Sequence, residues 1–231
     1  TFIGIGLFCG VVMPPLCLML QRRPPAVLTA AAKTDEAASR PLGLAPNGLH
    51  GLLAIAGIAC CLAMAMPQAH IVAHATDLGH AAQRGAEMLA LMLATGIISR
   101  LAFGWISDHL GGLETLLLGS SLQAVMLFLF MFAESLSSLY LMAALFGLSQ
   151  GGIVPSYAII VRRYFVPGQA GWRIAFVLSM TLLGMALGGW LAGLLYDLTG
   201  SYRMAFINAV IFNLLNMAIA GALLRRARQG V

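Results

Sequence analysis

The run Ser-Arg-Leu-Ala-Phe-Gly-Trp-Ile-Ser-Asp-His-Leu-Gly-Gly, residues 99–112, places Arg100 inside a strongly apolar stretch. Arg100 precedes Asp108 by eight residues, about 12 Å along a helix rising 1.5 Å per residue. In a hydrocarbon core about 30 Å thick that is well inside, where an arginine costs about 2.5–3.5 kcal/mol on insertion scales and usually faces a cavity. Gly96 and Gly104 flank it one turn away on either side. Its stripe is otherwise bare, leaving room for an anionic ligand or a neighbouring helix. The competing role is an arginine whose stem lies in lipid and whose head reaches the inner interface.

Three other groupings have chemical potential. His70, His74 and Asp77 recur at i, i+4 and i+7, with His80 just beyond; such spacing can bind zinc. At a membrane boundary, however, polar residues are expected in any case, and no metal is assigned. Gly147-Leu-Ser149-Gln150-Gly151 matches the Gly-x-Ser-x-Gly nucleophile pattern. That motif needs a strand before the serine and a nearby histidine and acid, and this run has none of them, so no catalytic residue is expected. Ser149 and Gln150 instead offer polar contacts to a cavity or another helix. Finally, Gly104-x-x-x-Asp108-x-x-Gly111 and Gly193-x-x-x-Asp197-x-x-Gly200 share one spacing, each closing an apolar run.

The elements that must hold these residues are membrane helices. Of 231 residues 60% are hydrophobic and 9% charged, with mean hydropathy +0.91; soluble domains carry roughly 25% charged residues. Apolar segments cover about 1–20, 51–73, 86–106, 114–133, 137–160, 172–195 and 204–224, each near the roughly 20 residues a spanning helix needs. Period-two alternation is absent, which argues against a β-barrel, and a lone span in lipid satisfies its backbone only as a helix. Pro155 and Ser156 point to a local break in the fifth segment. Gly184, Gly188, Gly189 and Gly193 allow close helix approach in the sixth. The four cysteines (Cys9, Cys17, Cys60, Cys61) read as small apolar fillers without redox or metal spacing.

Residues 21–50 hold four of the nine prolines and the only lysine, and read as a polar linker. With that linker cytoplasmic, eleven of the thirteen Lys and Arg fall on or near the inner side, and only Arg84 and Arg203 outside. This fixes the orientation by the positive-inside rule. It also accounts for the net charge of +5 without nucleic acid as a partner. The chain starts inside an apolar run with neither Met nor a signal peptide, so a fragment of a longer protein is expected. The two Gly-Asp-Gly copies close helices three spans apart, hence on opposite sides of the membrane. An inverted three-plus-three repeat leaves that trace, and it points to a transporter.

The stretch GWISDHLGG resembles the loop signature of the major facilitator superfamily. PQAHIVAHATDLG (67–79), SRLAFGWISD (99–108) and GLSQGGIVPSYAIIVRRYF (147–165) resemble its monocarboxylate and oxalate/formate antiporter branch. His109 and Gly112 stand where that signature has basic residues, and Gly96 where monocarboxylate transporters often have an acid. The oxalate antiporters' lysine is absent from 172–195.

The resemblance implies an all-α membrane protein. Residues 1–20 would be the last helix of a missing N-terminal half, 21–50 the cytoplasmic linker, and 51–231 a six-helix C-terminal half with a basic cytoplasmic tail, in a bacterial inner membrane. It further implies secondary transport of a small organic anion, a carboxylate, by alternating access and without a cofactor. Arg100 would anchor the anion, with His70, Ser149 and Gln150 as further contacts. Gly104, Asp108 and Gly111 would form a conformational latch, Asp108 capping the 172–195 helix or pairing with Arg173. Gly193, Asp197 and Gly200 would be its inverted counterpart. A drug or neutral-solute exporter and a non-transporting membrane sensor are the competing expectations.

Overall fold

The computed structural model describes Phe8, residues 10–15 and residues 41–229. The chain divides into two units, Thr1–Ala38 and Ser39–Val231. In the first, Phe8 and residues 10–15 are helical; most of the expected 1–20 span and 21–50 linker lies outside the described residues. The second unit consists of helices α1 (Pro46–Asp77), α2 (Ala82–Leu110), α3 (Gly112–Phe130), α4 (Leu136–Gln150), α5 (Ile153–Tyr164), α6 (Pro167–Thr199) and α7 (Tyr202–Arg228), preceded by a 3-10 turn at Pro41–Gly43. With α4 and α5 taken as one interrupted span, six helices are long and apolar enough to cross a membrane, and the described residues include no strand.

Local chemistry sets the boundaries. Pro46 and Pro167 open α1 and α6, where a missing N–H costs nothing because the first turn has no acceptor for it. Helix α1 therefore begins inside the stretch read from sequence as linker; α1, α2 and α6 overrun their apolar segments by four or five residues at each end, whereas α3 stops three residues short of its segment's end. The two Gly-Asp-Gly motifs end their helices in the same way. Gly111 (φ 94°) donates its N–H to the Ser107 carbonyl at 2.9 Å, and Gly200 (φ 67°) donates to Tyr196 at 2.7 Å. Each acceptor is the residue just before the motif's aspartate. Positive φ stops the helix there and is cheap only without a Cβ.

The interruption between α4 and α5 falls at Gly151–Gly152, a few residues before Pro155. Pro155 has no N–H to offer the Gly151 carbonyl. Gly151 and Gly152 keep right-handed torsions, so the span changes its hydrogen bonding without turning back. Ser99 of α2 repairs the gap: its Oγ accepts the Gly151 N–H at 3.1 Å and donates to the Leu148 carbonyl at 2.6 Å.

Packing follows the repeat. Helix α1 packs along α6 and α7, α2 along α4, α3 along both α4 and α5, and α3 against α7. Exchanging the first three spans for the last three maps this set onto itself, as two inverted three-helix repeats require. Helix α1 is central, with Ala59 through Pro67 all buried. Gly184 and Gly188 bring α6 onto it; a Cβ at Gly184 would stand 2.5 Å from the Ile58 carbonyl oxygen, and one at Gly188 would strike the Leu62 carbonyl.

Candidate functional site

The broken span and α1, α2 and α6 enclose a cavity of about 440 Å³, with no lining residue from α3 or α7. Its polar groups are Gln68, Arg100, Gln150 and Thr181, set among Cys61, Met64, Met185 and other apolar side chains. Among the described residues, no acidic side chain lines it. Along α1 the lining residues Cys61, Met64 and Gln68 follow i, i+3, i+7; along α2, Leu93, Gly96 and Arg100 do the same. Both sets are single helical faces.

Arg100 is exposed and also lines a second, smaller cavity of about 60 Å³ with Gly104 and Ser107, so it stands at the wall the two share. Among the described residues no hydrogen bond or ion pair engages its guanidinium; the one ion pair is Arg84–Glu87 at 3.0 Å, at the opposite end of α2. One turn before Arg100, the bare Gly96 leaves space for Gln150, whose Nε2 would lie 3.8 Å from a Cβ there. Gln68 Nε2 donates to Gln150 Oε1 at 2.5 Å, joining α1 to α4 on the cavity wall. Thr181 donates its hydroxyl to the Leu178 carbonyl at 2.7 Å.

The structure thus brings together Arg100 and Gln150 and adds Gln68 and Thr181, which the sequence reading missed. The signal available for Gln68 was an amide directly after Pro67 in the middle of an apolar run. His70 does not join them. It stands two residues from Gln68, about 200° around a 3.6-residue helix, with its Nε2 2.8 Å from the Gly189 carbonyl and its ring against Tyr202. Ser149 is buried and donates to the Phe146 carbonyl at 2.7 Å; it is not on the cavity wall.

The expected Asp108–Arg173 pairing is not formed. Asp108 is exposed at the end of α2. Arg173 is buried, its guanidinium over the Phe165 and Trp172 rings at 4.5 and 4.6 Å, with Nε donating to Gln169 Oε1 at 3.0 Å and Nη2 to Asn47 Oδ1 at 3.4 Å. The reason lies in the packing. Helix α6 rests on α1, α5 and α7, and α2 on α1, α3 and α4, so their ends at this face belong to different neighbourhoods. The basic side chain that does reach the motif is Arg163 of α5: a Cβ at Gly111 would lie 2.8 Å from its Nη1 and 3.4 Å from Glu114 Oε2. Gly104 has open space beside it. In the counterpart motif, Gly193 lies beside His70, and Asp197 is exposed.

A six-span bundle with an inverted repeat, a broken fourth span and a polar cavity walled by four of its spans defines a building block of a transporter-type membrane protein. The chain belongs to the major facilitator superfamily, whose family model matches residues 51–230. It is similar to monocarboxylate transporter 13 of Rattus norvegicus, 30% identical over 64% of this chain and 35% of that protein. It is also similar to the uncharacterized MFS-type transporter YcxA of Bacillus subtilis, 25% identical over 92% of this chain and 53% of that protein. Among solved structures, the E. coli fucose:proton symporter FucP aligns with a TM-score of 0.67 at 16% identity, over 92% of this chain and 52% of that one; this likeness concerns fold. The chain spans about half, or less, of the length of these relatives.

Proposed function

We propose that the chain is the C-terminal half of a secondary transporter that carries a small organic anion, a carboxylate, by alternating access. The carrying observation is Arg100: among the described residues, a cation with no partner, on the wall of a cavity lined by no acid. An arginine at that depth costs about 2.5–3.5 kcal/mol, and a bound carboxylate offsets the cost through charge-assisted hydrogen bonds. Gln68 and Gln150 give the anion neutral donors beside the guanidinium. Met64, Met185, Leu93 and Leu182 give its substituent an apolar wall. The similarity to rat monocarboxylate transporters 13 and 10 supports this ligand class.

The remaining wall would come from a second bundle in the longer protein. Binding at the boundary between two bundles shifts the balance between inward- and outward-open states by its difference in affinity for them. The end rich in Arg162, Arg163, Arg225, Arg226 and Arg228 is assigned to the cytoplasm by charge, in a bacterial inner membrane.

The test is uptake of a labelled monocarboxylate into proteoliposomes by the full-length transporter. Arg100→Ala is expected to reduce uptake at least tenfold and Arg100→Lys to retain part of it. Unchanged uptake in Arg100→Ala would overturn the anchor role. Uptake of neutral solutes without competition from carboxylates would favour an exporter of the same fold, and no accumulation of any solute a sensor.

A further inference from the structure

Behind the cavity, α3, α5 and α7 meet along a buried polar seam formed by Ser120, Gln123, Tyr157, Asn213 and Asn216, each with essentially no exposed surface. None of the five lines the main cavity. Part of the seam is internally satisfied. Tyr157 donates to Asn216 Oδ1 at 2.8 Å, Asn216 Nδ2 donates to Ser120 Oγ at 2.7 Å, and Asn213 Nδ2 donates to the Ser120 carbonyl at 2.8 Å. Three buried atoms are left without a hydrogen bond: Gln123 Nε2, Gln123 Oε1 and Asn213 Oδ1. Turning over the Asn213 amide does not help, because it would set Oδ1 against the Ser120 carbonyl. Turning over Gln123 changes nothing, since both of its ends are unpartnered.

The stereochemistry brings these residues to one level. A helical carbonyl points toward the C-terminal end of its helix, so the Ser120 carbonyl is directed at the turn that carries Gln123. Asn213, bonded to that carbonyl, is held beside the same turn. Leaving a polar group dry in an apolar interior costs several kcal/mol, and lipid around the bundle supplies no partner. The orphan set is one donor and two acceptors. A water molecule has two hydrogens to give and lone pairs to accept, so a single water satisfies all three. A monovalent cation does not, since it leaves the Nε2 donor unpartnered.

We propose that Gln123 and Asn213 hold one buried water molecule between α3 and α7, accepting from Gln123 Nε2 and donating to Gln123 Oε1 and Asn213 Oδ1. The water completes the seam that binds α7 to α3, on the side of the bundle away from the cavity. This inference is independent of the ligand proposed above.

Two measurements on the full-length protein test it. High-resolution cryo-electron microscopy is expected to show isolated density within hydrogen-bonding distance of all three atoms. A direct Gln123–Asn213 bond, or a dry seam, would overturn the proposal. Thermal unfolding in detergent gives the second. Gln123→Leu is expected to lower Tm by a few degrees, because the Asn213 oxygen loses its water. Gln123→Glu, whose buried neutral carboxyl keeps a donor and an acceptor, should stay near the wild-type value. A rise in Tm for Gln123→Leu is the result of removing two orphan atoms from a dry core, and counts against a water. So does a stabilisation by sodium over potassium or choline that Gln123→Leu abolishes.

Discussion

Neighbouring glycines on one helix illustrate how local the constraints are. Gly188 faces α1, where a Cβ would strike the Leu62 carbonyl and lie 2.8 Å from Ala65 Cβ; at Gly189 the nearest atom would be Ala69 Cβ at 3.6 Å, an ordinary contact. Backbone cannot yield as a side chain tip can, and overpacking of this kind costs about 1–3 kcal/mol. Gly188→Ala should therefore lower the melting temperature by several degrees while Gly189→Ala leaves it close to wild type, as read by thermal unfolding in detergent. Equal responses at the two positions would contradict the α1–α6 packing. A comparable argument applies to Ser99, which holds both the Gly151 N–H and the Leu148 carbonyl. Ser99→Ala removes both bonds at once and should cost about 1–3 kcal/mol, since the Gly151 donor is left buried and unpaired.

At the scale of elements, the interrupted span is the part of the bundle whose shape depends most on its neighbours. Gly152 lies directly on the Phe103 ring of α2, and Gly151 approaches the Arg100 backbone nitrogen, with 2.5 Å from it to an added Cβ. Contact this close fixes Arg100 relative to Gln150, because both flank the same crossing of α2 over α4–α5. Gly152→Ala should push α5 away from α2, lowering stability and weakening uptake together. Phe103→Leu, which retracts the obstructing ring, should recover part of both. The double variant in a thermal and transport cycle measures that coupling, and strict additivity would mean that the two residues do not communicate. Here the sequence was legible only in part. Pro155 announced a break, since it cannot donate to the carbonyl four residues back. The partner that seals the break, Ser99, is 52 residues distant and left no local trace.

For the whole molecule, the exposed surface is informative. Helices α3 and α7 contribute no residue to the cavity lining, and the exposed Phe128 of α3, Phe132 just past its end, and Ile211 and Leu214 of α7 are the apolar surface expected to meet lipid. Helices α2 and α6 flank the cavity and expose Ile97, Leu101 and Trp105, and Leu182, Trp190 and Leu198. On the proposed function those faces meet the second bundle, so the 231 residues reconstituted alone should not transport. Supplying the other half as a separate polypeptide should restore uptake, and transport by the isolated chain would refute the two-bundle arrangement. Asp108 belongs to this scale as well. It is exposed and bonded to nothing among the described residues, so Asp108→Asn should leave the bundle's melting temperature unchanged.

The sequence by itself determined the class of solvent, the six spans found among the described residues, their alternation and the inverted repeat. These follow from hydropathy, helix length and chain-end chemistry, which are local properties of the polymer. It also located Arg100, because a lone cation in an apolar run is costly whatever surrounds it. What it could not determine is which side of each helix faces the cavity. His70 and Gln68 are two residues apart and equally polar in sequence, yet one bonds the α6 backbone and the other lines the cavity. Likewise Arg173 and Arg163 are both basic residues at the same end, and only Arg163 reaches Gly111. The rotation of a helix about its axis is set by the helices packed around it, through close approaches such as Gly184 on Ile58. Hydropathy carries little of that information in a bundle whose outer faces meet lipid, since core and surface are equally apolar.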